Sequence, residues 1–595
     1  MFSICSLFTV ASCNMLDEIN YGNPTVEDMM GNPENVVMTV GQIYADLKYT
    51  HDHWGYWGLQ TITADEGIAV PRNSGKDWND GGYWLKQNTH TWDYRGDALK
   101  NVWNITVSGA VLCNKIMYNL DLFKENMSEE VYNQYVAETE VMRCYYYYLM
   151  FDCFGRIPYT ESFDNSVTPL LEPEDVWSRL VATLEKDAPK MAVVKTDADR
   201  AAYYGRTTQG FAYALLARLY LNAEGFGCTM DNIFKNIEKP VQFNGSFYDN
   251  CVRCCDAVID SKGYSIESDY FANFKIFNES SKENIFVIVE NGLVDDERDS
   301  GGSQPCKNKN RVLMNTHHYG IQSYYDMILD TWNGFSARPE FLNIFKSKTA
   351  PVLTKDDWFD ASKFVGYYNS DVRGPGIEIQ GTANKKPWGW FLGPVHKQGS
   401  TTELFVDNKM KDNEHPSGLP TIIRPGITNI MNAHNFDGAR LNKWEIDKTK
   451  TYKYMENDFP IMRYADVLLM KLEAVKRGGN GTDVTTDKDF RMLMERAFAN
   501  DDATPDKVQK FIDTYGDPAS WTLDDILAER GRELSWEMVR RRDLIRYNKF
   551  NDIQYVTDAK AKEPVRKWFP IPYSVLQKSL LDEQGNPVWT QTPGY

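Results

Sequence analysis

The sequence predicts a mainly α protein with a loop-rich, partly β second part, and three observations carry that prediction. Ala137, Val141, Cys144, Tyr145, Tyr148 and Leu149 recur at helical spacing and form one apolar face. The run meets Gly155 and then Pro158, which cannot continue a helix. Ala212, Leu215, Leu216 and Leu219 repeat the i, i+3, i+4, i+7 pattern of Ala465, Leu468, Leu469 and Leu472, with a small residue at the head of each set to admit a close neighbour. Between about residues 290 and 457 the chain turns rich in Gly, Pro, Asn and Asp, preceded by the β-prone run NIFVIVE. Irregular stretches of that length in a compact protein are functional or disordered.

In chain order, residues 33–49 read as a first helix. Trp54 to Trp92 is rich in Gly, Asp and Trp with little periodicity, and reads as loops and short turns. Helices then dominate from Leu99 to Leu221, with Pro173 suited to the first turn of one of them. The segment YDNCVRCCDAVIDSKGYSI reads as a helix followed by a turn. Helices return from Pro460 to the end, interrupted by Gly478, Gly479 and Gly481.

Composition narrows the function. The 595 residues are enough for a large buried core. The net charge of -18 provides no basic footprint for a nucleic acid, and no Lys/Arg run reads as a polybasic membrane patch. The ten Cys form no disulfide framework. Cys251, Cys254 and Cys255 lack a second ligand pair and are expected to pack as small apolar groups. His51-x-His53 and His317-His318 lack a third ligand at metal-site spacing, so no metal and no cofactor is expected. No G-x-S-x-G, H-E-x-x-H or G-x-x-x-x-G-K-[ST] occurs, and no catalytic residue is assigned. A glycosidase needs only two suitably spaced carboxylates, which 83 Asp and Glu leave open. Arg540, Arg541 and Arg542, with Glu529, Glu533, Glu537 and Asp543, are expected to neutralise one another at helical spacing in a structural ion network.

Met1 to Ser12 is apolar and short and ends at Cys13, and Val10-Ala11-Ser12-Cys13 resembles a bacterial lipobox. Cleavage before Cys13 and lipidation of its thiol are expected. The usual basic n-region is missing, and a start upstream of Met1 would supply it. Residues 13–28 would then be a lipidated tether and 29–595 one unit, in which 29–289 and 458–595 form the helical scaffold and 290–457 the ligand-binding part. Elsewhere no run of about 20 apolar residues would span a membrane.

Aromatic residues make up 13% of the chain, with 34 Tyr and 16 Trp. Flat rings exposed in loops suit the C–H faces of sugars, and neighbouring carboxylates and carboxamides suit their hydroxyls. Three clusters qualify. Trp78, Asn79, Asp80 and Trp84 lie in the Trp-rich stretch, beside Asp77. Tyr319, Tyr324, Trp332 and Asn333 lie in the irregular part. Trp388 and Trp390 flank Gly389, where strand alternation would set both rings on one face.

Several blocks recur in a telling order. AETEVMRCYYYYLMFDCFGRIP (Ala137 to Pro158) is followed by GRTTQGFAYALLARLYLNAE (Gly205 to Glu224), NDFPIMRYADVLLMKLEA (Asn457 to Ala474) and ILAERGRELSWEMVRRRDLIRY (Ile526 to Tyr547). The chain closes on WFPIPYSVLQKS and QTPGY, and TADEGIAVPRNSGKDWNDGGYWLKQNTHTW stands near the start. Together they resemble the SusD/RagB family of surface lipoproteins that capture nutrients, usually glycans, with Thr592 where that family usually has Asn. The resemblance implies a tetratricopeptide-like helical scaffold, which the A-x-x-L-L helices suit although no clean 34-residue repeat is visible. It implies an outer-membrane, cell-surface protein that binds oligosaccharide without cleaving it. It also implies a SusC-like TonB-dependent transporter as partner, over which the protein closes as a lid. A peptide or glycopeptide ligand, and a surface glycoside hydrolase, remain alternatives.

Overall fold

The computed structural model describes residues 26, 30–31, 33–164, 166, 168–290, 315–321, 331–377, 389–448, 455–556, 558–582 and 584–595. Cys13, Tyr324 and Trp388 lie outside them. The first helix, α1 (Pro33–Gly41), is shorter than predicted and passes into two single 3₁₀ turns. The Trp-rich stretch holds two short helices, α2 (Tyr56–Ile62) and α3 (Tyr83–Asn88), where loops were expected. All of α2 is buried, so tertiary packing imposes helix on a segment whose own pattern does not call for it.

Two long helices follow, α4 (Asp97–Leu122) and α5 (Glu129–Phe154), packed along their lengths. The hydroxyl of Ser128 caps α5 by accepting from the Val131 amide, and Gly155 ends it at φ +69°. The sequence predicted one apolar face on α5, but every residue from Ala137 to Phe154 is buried. A helix enclosed on all sides needs no amphipathic stripe. Its Tyr residues carry their own partners: Tyr146 donates to the Ile43 carbonyl at 2.7 Å and Tyr147 to the Thr160 carbonyl at 2.9 Å. Gly109 of α4 lets the Tyr146 ring lie against the backbone, since a Cβ there would fall 2.4 Å from the ring.

The scaffold continues through α6 (Pro173–Asp187), α7 (Gln209–Leu221), α8 (Phe247–Asp260), α9 (Tyr464–Lys476) and α10 (Leu523–Glu533), each packed on its neighbours. Pro173 occupies the first turn of α6 as its sequence position predicts. Cys251, Cys254 and Cys255 are buried in α8 as small apolar groups. Pro460 opens no helix. It lies in a strand, Phe459–Arg463, paired antiparallel with Asn284–Ile288, and α9 starts after it. The block from Ile526 to Tyr547 is broken between α10 and α11 (Arg540–Arg546), with Trp536 and Met538 at positive φ.

The charged residues singled out in the sequence do enter structural ion networks, but Arg540, Arg541 and Arg542 do not neutralise Glu529, Glu533, Glu537 and Asp543 at helical spacing as expected; each set pairs with other segments. Arg540 pairs with Asp65, and Arg542 donates to the carboxylate and the carbonyl of Asp152. A second cluster buries Arg373, Lys443, Arg463, Arg496 and Arg532 against Asp371, Glu283, Glu529, Glu533 and Glu537. Cations and carboxylates balance in number, as buried charges must. A third joins α7, α9, α10 and α11 through Arg218, Asp466, Arg530, Asp543, Arg546 and Glu473. Burial opposes ionisation of Asp466, yet Arg530 and Arg218 outweigh it and hold the carboxyl down at about 2.

Trp536, at positive φ, is held by Glu66, whose carboxyl accepts from the Trp536 amide at 2.8 Å and whose carbonyl accepts from the indole Nε1 at 3.0 Å. Burial lifts the Glu66 carboxyl to about 8. A raised carboxyl favours the protonated folded state, so its contribution is full below about pH 4.5 and is lost as pH rises through about 8. Glu66→Gln, a neutral isostere, should therefore gain stability relative to the native protein between those limits. The gain should reach at most about 1.4 kcal/mol per pH unit, read from urea midpoints along a pH series.

Candidate functional site

The Trp-rich stretch and the irregular part are joined by a two-residue ladder, Ile68–Ala69 against Phe335–Ser336, and by two buried guanidinium groups. Arg338 donates to the carbonyls of Ile62, Ala64, Gly67, Asn88 and Gln554 at 2.9–3.2 Å. Arg72 donates to the carbonyls of His434 and Asp437 at 2.7 and 2.9 Å. These contacts bring residues some 250 positions apart in the chain to the two sides of one concavity, as the Trp78–Trp332 hydrogen bond records.

That concavity has a volume of about 410 Å³ and is lined by His53, Trp54, Asp77, Trp78, Asp80, Tyr319, Thr331, Trp332 and Lys409. Its size lies in the range of small-molecule sites, roughly 300–1,000 Å³. Trp54, Trp78, Tyr319 and Trp332 are each half-buried, so part of every ring reaches solvent. Behind them the rings are locked by one another: His53 stands edge-on to Trp78 and Trp332, with centroids 6.0 and 5.7 Å away, and stacks on Trp84. Trp78 Nε1 donates to the Trp332 carbonyl at 2.8 Å, which ties the two indoles together.

The backbone is strained at this point. Trp78, Asp80 and Asn333 have φ of 59°, 40° and 54°. Left-handed conformations at non-glycine residues cost roughly 1–3 kcal/mol each and gather at functional sites. Gly334 is required by the same packing, because a Cβ there would lie 2.1 Å from the Trp78 ring.

Tyr319 is held from two sides. Its hydroxyl accepts from Asn435 Nδ2 at 3.0 Å, and Lys409 Nζ sits 4.3 Å from its centroid. The same Asn435 amide donates to Asp407, which also faces His318 at 3.3 Å. Burial opposes ionisation of Asp407, but hydrogen bonds from His318, Tyr319, Asn435 and the Lys409 amide overcome it and hold the carboxyl well below its usual range. Burial drives the His318 imidazole down to about 4, so it is neutral at physiological pH. Among the described residues no group of His, Cys, Asp and Glu is arranged to hold a metal ion. The arrangement is a fixed aromatic rim with carboxylates and one ammonium between the rings.

The SusD family model matches residues 282–595, more than half of the chain. The protein belongs to the SusD/RagB family. A second model, described as starch-binding associating with outer membrane, matches residues 61–221. The starch-binding protein SusD of Bacteroides thetaiotaomicron is 24% identical over 466 residues, covering 77% of this chain and 72% of that protein. Surface glycan-binding protein A from Bacteroides thetaiotaomicron, solved with laminarihexaose, superimposes with a TM-score of 0.62 at 18% identity, over 95% of this chain and all of that one. Its counterpart from Bacteroides uniformis gives 0.63 at 16% identity, over 95% of this chain and 100% of that one. These structural likenesses are of fold: a mainly α, SusD-like helical scaffold of the tetratricopeptide-like kind, with a loop-rich, partly β second part.

On this SusD-family frame the sequence candidates separate. Trp78, Asp80, Tyr319 and Trp332 meet at the concavity. Asn79 is exposed beside it and does not line it. Trp84 is a correction: it is 1% exposed, its Nε1 donates to Asp80, and its ring backs the site instead of facing a ligand. Asn333 is buried and structural, accepting from Arg440 and donating to the Asn435 carbonyl. Trp390 is also corrected. It lies in the strand Gly389–Pro394, fully buried between Phe341 and Trp536, because this strand is central and has both faces covered. Asp77, noted beside the first cluster, also lines it, and Trp54, Thr331, His53 and Lys409 complete the lining without having been singled out as ligand contacts. Trp54 and Asp77 share the Trp-rich stretch, which was the available signal, whereas an isolated Lys409 in an exposed turn gives none. Replacing Gly334 by Ala should push the Trp78 indole out of place while the scaffold stays intact. Tryptophan fluorescence should shift and ligand affinity should fall about tenfold, a loss of about 1.4 kcal/mol, with little change in the thermal midpoint.

Proposed function

We propose that this protein is a cell-surface glycan-binding lipoprotein that captures oligosaccharide and delivers it to a SusC-like TonB-dependent transporter in the outer membrane. The single observation that carries the binding reading is the convergence of Trp78, Trp332, Tyr319 and Trp54 on one open concavity with Asp77, Asp80, Thr331 and Lys409 between them. Rings supply flat apolar faces to sugar C–H groups, and the polar side chains match hydroxyls. The named relatives, one a starch-binding protein and another solved with a glucan hexasaccharide, support the same class of ligand. Catalysis is not part of the proposal: Asp80 accepts from the Trp84 indole and acts as a positioning carboxylate in the wall of the site.

A panel of starch, β-1,3-glucan and other soluble polysaccharides, run in affinity gels, tests this reading. At least one polymer should retard the native protein. Trp332→Ala should weaken that binding at least about tenfold, because a stacked aromatic is lost from the centre of the site. Trp84→Ala should instead lower stability by roughly 3–5 kcal/mol, as expected for a core indole. Release of reducing ends by the native protein would replace this reading with a hydrolase. Loss of binding after protease rather than glycosidase treatment of the ligand would replace it with a peptide binder.

The family description, starch-binding associating with outer membrane, supports placement at that membrane. Lipidation at Cys13 would supply the anchor, and several acyl chains on one Cys hold a bilayer stably where a single chain does not. Cys13→Ala should move the protein from the membrane fraction to the soluble fraction. Affinity purification from membranes of its own cell should recover a TonB-dependent barrel with the native chain.

A further inference from the structure

The outer concavity is not alone on this face. A second one, of about 500 Å³, adjoins it, and Trp54 and Asp80 line both. Tyr83 packs against Trp54, with ring centroids 4.8 Å apart, and lines this second space. Lys86, Asp93, Arg95 and Asp97 supply its polar groups. Lys86, Arg95 and Asp97 are exposed, and Lys86 Nζ pairs with Asp93 at 2.8 Å.

Trp54 is held in place to serve as this shared wall. Its amide donates to Asp52 at 2.9 Å, its carbonyl accepts from Asn101 at 3.0 Å, and its ring lies 4.9 Å from Trp84. Asp80 is held by the Trp84 indole at 2.5 Å. Two glycines at positive φ, Gly81 and Gly82, follow Asp80 and carry the chain into α3 without a side chain rising between the two spaces.

Charge narrows what can occupy them. The second concavity has three carboxylates, Asp80, Asp93 and Asp97, against Lys86 and Arg95. The first has Asp77 and Asp80 against Lys409. Each therefore carries one more carboxylate than basic Lys or Arg side chains, on a chain of net charge -18. A uronate or sulfated chain would be repelled, whereas neutral hydroxyls find both donors and acceptors.

We infer that the two concavities form one continuous groove, divided by the Trp54 indole, which takes an extended internal stretch of a neutral polysaccharide with sugars in both halves. This inference rests on the proposed glycan-binding role and deepens it.

The test measures affinity by calorimetry for an oligosaccharide series, from disaccharide to octasaccharide, cut from whichever panel polymer binds. Polygalacturonate and heparin are included as acidic probes. The native protein should gain affinity with length beyond what fills the first concavity. The double variant Lys86→Ala with Arg95→Ala should lose about tenfold on the longest chains while changing by less than about twofold on the shortest, because its effect is confined to the second space. Trp332→Ala should weaken short and long chains alike. If the double variant treats long and short chains equally, the continuous groove is overturned and the proposed glycan site stands. If Trp332→Ala changes neither, the proposed site itself is overturned. Tightest binding to an acidic polymer overturns the neutral-ligand assignment, and failure of every polymer to bind overturns both readings.

Discussion

Two buried guanidinium groups, of Arg338 and Arg72, and a two-residue strand ladder hold the binding face together. Arg338 is 1% exposed, and it is satisfied by backbone carbonyls drawn from three separate stretches of chain. Its planar fork can donate in several directions at once, which a Lys ammonium on a flexible stem does not reproduce. Burial lowers its pKa only to about 10, so it remains charged and its hydrogen bonds are charge-assisted. Four of those carbonyls, of Ile62, Ala64, Gly67 and Asn88, belong to the Trp-rich stretch itself, and the fifth belongs to Gln554. Without this pin, four buried acceptors, the carbonyls of Ile62, Ala64, Gly67 and Asn88, would be unsatisfied, at about 1–3 kcal/mol each.

The same principle recurs across the molecule. Where helix meets helix, apolar side chains fill most of the space, and one buried ion cluster joins α7, α9, α10 and α11. Where the scaffold meets the irregular part, charged groups bridge it. Arg373, beside the parallel strand Pro375–Ile377, reaches Glu529 and Glu533 of α10, and Lys443 and Arg463 reach Glu537. Networks whose every member is satisfied fix a unique geometry, because any slip strands a charge in a low-dielectric interior. Loops that could otherwise drift are thereby held at the precision a rigid helical frame provides.

A site fixed in this way suits capture. The rings of Trp78 and Trp332 are tied by a hydrogen bond, Tyr319 is clamped by Asn435 and flanked by Lys409, and three backbone positions sit at positive φ. Rings that are ordered before the ligand arrives lose little entropy on binding, which matters where each sugar contributes only a modest contact. Repetition along a polymer then multiplies weak unit contacts into useful retention. The proposed role, holding a saccharide and passing it on, asks for a fixed surface and not for a titrating or nucleophilic group.

The helical scaffold was legible because its signals are local. Periodic apolar positions, Pro173 at a first turn and Gly155 at a helix end all act within a few residues, and blocks such as Ala137 to Pro158 carried the family with them. Much of the site was half legible: the abundance of Trp near residues 54–92 and of aromatic residues near 319–332 named both walls, but nothing in the sequence says that they face each other. Trp78 and Trp84 stand six positions apart with similar neighbours, yet one borders the groove and the other backs it. Trp390 read as a platform until its strand proved to be covered on both sides. The sequence by itself determined the long scaffold helices, the net acidity and the stock of aromatic rings, since these depend on composition and near-neighbour spacing. Only the tertiary structure decided which rings see solvent, because exposure is set by buried arginines and strand pairings between residues hundreds of positions apart.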